Sequence, residues 1–189
     1  MAKEKFYIST AIDYVNAQPH LGHAYEKVCA DVFARWHRLL GEDVFFVTGT
    51  DENAQKNVSA ARAAGVETKV FVDENAERFK RLCKVYNISY NDFIRTTEPR
   101  HRRVAQYIFE KMLKKGDIYK GHYEGLYCEG CESYYTEKEL VAGKCPEHNR
   151  EPKLLKEEGY FFKASKYEKK VEKLLKGNTF VRPESKRKE

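Results

Sequence analysis

What most constrains this chain is the pattern of its first fifty or so residues. From Lys5 to Ile12 the segment KFYISTAI is rich in β-branched and aromatic residues and predicts a buried strand. A loop containing Asn16 and Pro19 follows. From Leu21 the apolar residues Tyr25, Val28, Val32, Trp36 and Leu39 recur at three- and four-residue steps, which predicts a helix ending near Gly41. The run DVFFVT, Asp43 to Thr48, predicts a second strand, and Gly49, Thr50 and Asp51 a loop after it. Strand, helix and strand in about forty-five residues form a βαβ unit, so the two strands are expected to be parallel.

A second helical stretch carries Val72, Ala76, Phe79, Cys83 and Tyr86 on one face. A third runs from about Pro99 to Lys115, with Val104, Ile108 and Met112 in register and Gly116 as its stop. Between them NDFIRTT, Asn91 to Thr97, is a candidate strand. After Gly116 the character changes. Tyrosine, glycine and cysteine become frequent and the strands read as short. GYFFKAS, Gly159 to Ser165, predicts a strand, and Lys166 to Lys176 a short amphipathic helix. The expected division is therefore an α/β domain over residues 1–116 and a second domain over 117–189.

With 189 residues, 41% of them hydrophobic, the chain has enough apolar surface for a core. Charged residues of both signs make up 34%, which marks a solvated surface and not a disordered chain. The net charge of +6 suits a polyanionic partner but selects none. No run approaches the roughly 18 apolar residues of a membrane span, and MAKEKFYIST lacks the apolar core of a secretory signal. A cytoplasmic location is the expectation, where clustered cysteines favour metal over disulfide.

Cys128, Cys131, Cys145 and His148 form C-x2-C-x13-C-x2-H, with Gly130 and Pro146 inside the two short pairs. Four soft or borderline ligands at this spacing suit one tetrahedral Zn²⁺, and a closed set leaves no position for a catalytic water. The expected zinc is structural, one per chain. Cys29 and Cys83 fall on the apolar faces of helices and are expected in the core.

His20-Leu21-Gly22-His23 stands where the loop after the first strand enters a helix. The carboxyl ends of parallel strands are where open α/β sheets bind ligands, and a helix start favours anions. Imidazoles there can donate to phosphate oxygens, and a glycine lets a flat ring approach the backbone. The competing reading is that both histidines simply cap and pack the helix start. PHLGH, after a strand and STAIDYVNAQ, resembles the first signature of the class I aminoacyl-tRNA synthetases. The Cys/His knuckle inserted after half a nucleotide-binding fold, together with PHLGHAY and FIRTTEPRH, resembles the methionyl-tRNA synthetases in particular, over nearly the whole chain.

That resemblance implies the first half of a Rossmann-like catalytic domain, followed by a connective-peptide domain holding the zinc knuckle. It assigns His20 and His23 to the phosphates of ATP, accompanied by Mg²⁺, and Gly22 to the adenine. Ala11, Ile12 and Tyr14 would contact methionine, since small apolar groups beside an aromatic suit an unbranched thioether. Asp51 would hold the substrate ammonium, with helix capping as its plainer role. Asn53 and Ala54 stand where the family often has His-Gly, so the resemblance assigns no contact there.

The implied activity is that of a methionine–tRNA ligase, in which methionine and ATP give methionyl-adenylate and the methionyl group passes to tRNA(Met). No KMSKS-like signature occurs, so the expectation is a piece of a longer enzyme, or half of a split one, inactive without a carboxyl-terminal segment or partner chain. Such a half should expose apolar surface that the missing wall covers. Two readings of other classes compete with it. One is a zinc-knuckle RNA-binding module, suggested by the net charge and the tyrosines near the knuckle. The other is a regulatory fragment that folds and does no chemistry.

Overall fold

The computed structural model describes residues 3–177 and 181–188. Two compact units divide the chain, residues 1–105 and 106–189. The first contains a parallel three-stranded sheet of order β1-β2-β3, formed by β1 (Lys5–Tyr14), β2 (Asp43–Asp51) and β3 (Asp92–Arg95). Its helices are α1 (Leu21–Leu39), α2 (Gln55–Ala63) and α3 (Thr68–Val85). The parallel βαβ unit expected from the sequence is present, with β2 at the centre of the sheet.

The sheet is half-buried, as the alternation in β2 shows. Val44 and Phe46 face the core while Asp43 and Phe45 face solvent. Phe46, Val72, Ala76, Phe79 and Cys83 build that core with Ala30 and Ala34 of α1. The apolar stripe that marks α1 as a helix is not the face it buries. Tyr25, Val32, Trp36 and Leu39 are all exposed, whereas Ala24, Lys27, Ala30, Asp31 and Ala34 are buried. Alanines let the helix lie close on the sheet, Lys27 and Asp31 are buried with charged partners, and the large apolar residues Tyr25, Val32, Trp36 and Leu39 point the other way. With Tyr7 and Phe45 exposed on the sheet, this unit carries the uncovered apolar surface expected of it. Tyr86 on α3 is likewise half exposed, because it lies past the last buried turn as the helix C-cap.

Both strand ends run further than the sequence suggested. Beyond the expected ends, Asp13 and Tyr14 belong to β1 and Gly49 to Asp51 to β2, because the two tails continue to pair as Ile12 with Gly49, Asp13 with Thr50 and Tyr14 with Asp51. The register shifts between Ser9 and Ile12, where β1 takes one extra residue, a bulge. Polarity in TGTD hides this continuation. Gly49 is there for a spatial reason, since a Cβ on it would lie 2.0 Å from the Ile94 carbonyl oxygen of β3. The helix α2 was not legible either, having no apolar stripe and no side-chain cap at Ala54.

α4 (Pro99–Lys114) spans the division between the units and has no buried residue, so Val104, Ile108 and Met112 mark the helix without forming core. Within the second unit its Phe109 sits edge-on to Tyr160, ring centroids 5.1 Å apart. The expected boundary at 117 therefore differs from this division by the last turns of α4.

The second unit is built on an antiparallel sheet of order β5-β4-β6, from β4 (Ile118–Cys128), β5 (Ser133–Tyr135) and β6 (Lys153–Phe162). Its two main strands are long and not short. β6 begins well before Gly159 and ends before Ser165, because all of β4 from Ile118 to Tyr127 is available to pair with it. α5 (Glu168–Lys176) follows a 3₁₀ turn at Ala164–Tyr167. Asp117, 2% exposed, ties this turn down by accepting from Lys166 and, at 2.6 Å, from the Tyr167 hydroxyl.

Candidate active site and metal centre

The extended strand ends bring the first group of expected residues together. Tyr14 and Asp51 are direct neighbours on β1 and β2, and Ala11, Ile12 and Asp13 are the three residues of β1 that precede Tyr14. Lys56 of α2 stands over the Tyr14 ring at 5.3 Å. Asp51 accepts the Asn53 N–H at 3.2 Å, closing a local turn, while α2 starts at Ala54 without it. Helix capping is thus not its role, and its second carboxylate oxygen has no hydrogen bond to that turn. Asn53 contributes its backbone there and its position explains none of the side-chain chemistry.

The histidine pair is locked by its own backbone. His20 is the N-cap of α1, and its Nδ1 accepts from Gly22 N–H at 3.1 Å. In return His20 N–H donates to His23 Nδ1 at 3.0 Å, a reciprocal capping arrangement made from two imidazoles. The rings stack with centroids 3.7 Å apart, and His23 meets Phe79 edge-on. Because each Nδ1 accepts, each ring carries its proton on Nε2 when neutral and is a donor there. Capping and ligand donation therefore use opposite nitrogens of the same rings and do not compete. Gly22 has a local reason as well: a Cβ would press on His20 Cε1 at 3.0 Å.

Beneath the pair lies a group that sequence reasoning missed. Asp13 is 8% exposed and its Oδ2 lies 2.7 Å from the Lys27 ammonium, itself 2% exposed. His23 Nε2 is 3.9 Å from Asp13 Oδ1. Burial raises the Asp13 carboxyl above its ordinary range against the pull of Lys27 and His23. Burial lowers His23, with Asp13 pulling the other way, which favours the neutral imidazole. Nothing local in the sequence sets Lys27 apart; it lies on the buried face of α1 among Ala24, Ala30 and Ala34.

A second missed group locks the end of β2. Glu52 has a fully buried side chain that accepts from Arg95 Nε at 2.5 Å and from its second nitrogen at 3.0 Å. Thr50 and Thr97 donate to the same carboxylate, and Thr96 Oγ1 accepts the Glu52 N–H at 2.8 Å. Arg95 also pairs with Asp73 of α3. These residues are those of DE and IRTT, whose spacing alone gave no hint of pairing. Clefts lined by Glu77, Lys80 and Tyr90, or by Arg35, Arg38 and Ser89, lie away from the histidines.

In the second unit, ligand atoms of Cys128, Cys131, Cys145 and His148 all lie within 4.8 Å of one another. The two short pairs close alike, with Glu132 after Cys131 at φ 53° and Asn149 after His148 at φ 50°. Gly130 is required: a Cβ would stand 2.7 Å from the His148 ring. Tyr135 donates to Cys131 Sγ at 3.0 Å. Although burial opposes it, backbone N–H groups of His148 and Glu147 and the neighbouring Cys131 and Tyr135 bring the Cys145 thiol down to about 6. Three thiols and an imidazole converging at this range fit a tetrahedral Zn²⁺. Cys83 is buried as expected and burial pushes its thiol up to about 11, whereas Cys29 is only partly buried.

A parallel sheet with a histidine-capped helix at its carboxyl edge, and a Cys₃His knuckle beyond it, places the chain in one class. Residues 6–153 match the family model described as tRNA synthetases class I (M), and the chain belongs to the class I tRNA synthetases. Its branch is that of the methionine enzymes. The methionine–tRNA ligase of Caldanaerobacter subterraneus is 48% identical over 99% of this chain and 30% of its own length. That of Thermotoga maritima is 46% identical over 98% of this chain and 30% of its own. The solved structure of Mycobacterium tuberculosis methionyl-tRNA synthetase in complex with methionyl-adenylate superposes with a TM-score of 0.92 at 39% identity, covering 98% of this chain and 37% of that one. The chain thus spans about 30% of the length of the curated relatives it matches. Among the described residues, no helix is long and apolar enough to cross a membrane.

Proposed function

We propose that this chain supplies the first half of an active site that activates methionine with ATP and then passes the methionyl group to tRNA(Met). The observation that carries the reading is the histidine pair. Two Nε2–H donors, fixed by backbone hydrogen bonds to their Nδ1 atoms, stand at the helix start beside the carboxyl ends of β1 and β2. A donor held in place before reaction stabilises charge that develops on phosphate at no cost of reorganisation.

In this reading His20 and His23 donate to the phosphate oxygens of Mg²⁺-bound ATP, and Gly22 leaves room for the adenine. His23 is suited to it because burial favours its neutral form, a donor at Nε2. Ala11, Ile12 and Tyr14 line the methionine pocket, and Asp51 accepts from the substrate ammonium with the carboxylate oxygen its own turn leaves unused. The reaction is positioning and charge stabilisation: the methionine carboxylate attacks the α-phosphorus, and pyrophosphate leaves with the electron pair of the broken P–O bond. Cys128, Cys131, Cys145 and His148 hold a Zn²⁺ that cross-links the second unit and takes no part in chemistry. The cytoplasm is the compartment that suits its reduced thiols.

The test is exchange of labelled pyrophosphate into ATP by the complete synthetase chain that carries this segment. Exchange is expected with methionine and not with leucine or isoleucine. Exchange without any amino acid, or none with methionine, would refute the reading.

A further inference from the structure

Ala11 lies in the interval of β1 that has no register partner on β2, because the strand carries an extra residue between Ser9 and Ile12. Adjacent side chains of α1 reach both of its backbone groups, and its carbonyl also accepts from the Thr10 hydroxyl at 2.7 Å. Glu26 Oε1 accepts the Ala11 N–H at 2.9 Å, and Lys27 Nζ donates to the Ala11 carbonyl at 3.2 Å. The two side chains are tied to each other, Lys27 Nζ to Glu26 Oε2, at 2.8 Å. The ammonium also holds Asp13 Oδ2 at 2.7 Å, so β1 is gripped at residues on both sides of Ile12.

The ammonium donates hydrogen bonds to Glu26 and to the Ala11 carbonyl, and its charge is paired with the Asp13 carboxylate as well. Lys27 is therefore turned towards β1 and Glu26, and at 2% exposure it does not face solvent. Packing alone does not explain it. A lysine 2% exposed is costly unless its charge is fully met, and an apolar residue would fill the same space without that cost. What an apolar residue cannot do is hold a bulged carbonyl and a buried carboxylate at fixed distances.

We infer that Glu26 and Lys27 are positioning residues that fix the bulge of β1, and with it the backbone of the amino-acid pocket at Ala11 and Ile12. The inference rests on the reading of those two residues as pocket lining. It makes the pocket's shape a property of α1 as well as of β1. The helix that presents the histidines to ATP also holds the strand that meets the amino acid, so one element sets the distance between the two substrates.

The test uses Glu26→Ala, Glu26→Gln and Lys27→Met. Hydrogen exchange of the Ala11 amide in the 189-residue chain reads the clamp. KM and kcat for methionine and for ATP, in pyrophosphate exchange by the complete synthetase chain, read the pocket. Glu26→Ala should speed exchange of the Ala11 amide roughly tenfold and raise the methionine KM by a similar factor. The ATP KM and kcat should change by less than about threefold. Glu26→Gln keeps an oxygen for the Ala11 N–H and should restore most of both. Lys27→Met keeps the length of the stem and should also raise the methionine KM selectively. Faster Ala11 exchange with an unchanged methionine KM would overturn the inference, and so would an Ala11 amide indifferent to Glu26→Ala. No methionine-dependent exchange in the unmutated enzyme would instead overturn the activation reading itself, whatever the amide shows.

Discussion

Arg95→Leu should cost the first unit most of its stability, and the reason is a single carboxylate. Glu52 has no solvent contact on its side chain, and Arg95 supplies two of its donors, at 2.5 and 3.0 Å. The remaining donors are the hydroxyls of Thr50 and Thr97, which carry no charge. Removing the guanidinium leaves a buried anion with two neutral partners, a change that typically costs about 3–5 kcal/mol. The second ion pair of Arg95, to Asp73, is at the surface, where Asp73 is 39% exposed. That pair contributes under about 1 kcal/mol. The structure thus predicts a ratio as well as a size: Arg95→Leu costs several times what Asp73→Ala costs. Urea unfolding, followed through amide exchange of Thr48 on β2 and Phe93 on β3, measures both variants. Glu52→Leu combined with Arg95→Leu should recover much of the loss, since an apolar pair leaves no charge stranded. An Arg95→Leu variant within about 1 kcal/mol of the unmutated chain would refute the reasoning, as would an Asp73→Ala variant equally damaged.

Gly49→Ala should be severe for so small a change: a Cβ 2.0 Å from the Ile94 carbonyl forces β2 and β3 apart, at a cost of about 3 kcal/mol by thermal unfolding. An unshifted melting temperature would contradict the close approach. Cys145→Ser should abolish zinc retention and loosen the second unit while the first keeps its circular dichroism; metal content near zero in the unmutated protein would refute the assignment. Asp31 accepts from Ser89 and Arg35, and although burial opposes it, those partners hold its carboxyl below the ordinary range. The folded state then binds that proton less readily than the unfolded one. Its contribution is present at neutral pH and is lost as pH falls through about 4 and below. In Asp31→Asn that part of the acid dependence should vanish, and an unchanged acid midpoint would count against it.

The fold was legible where periodicity and burial agree, and misread where they part. Val44, Phe46, Val72 and Phe79 announced both elements and core, whereas α1 advertised Tyr25, Val32 and Trp36 and buried its alanines. The end of β2 was hidden because Gly49 and Asp51 are poor strand formers, held in place by pairing with β1 and β3. The histidines and the Cys/His cluster were legible because ligand chemistry needs rare residue types at fixed spacing. The groups that fix the strand ends of the first unit were not. Lys27, Glu26, Glu52 and Arg95 are common surface residues, and nothing local separates a buried lysine from a solvated one. Their roles exist only once β1, β2 and α1 are brought together.

The most direct test of the account is the rate of methionine-dependent pyrophosphate exchange in His23→Ala, measured in the complete synthetase chain beside the unmutated enzyme. If the neutral His23 imidazole donates to phosphate as charge develops, kcat should fall by about 10²–10³ while the methionine KM stays near its original value. An exchange rate equal to that of the unmutated enzyme would mean that the pair only caps α1, and the proposed site would have to be abandoned.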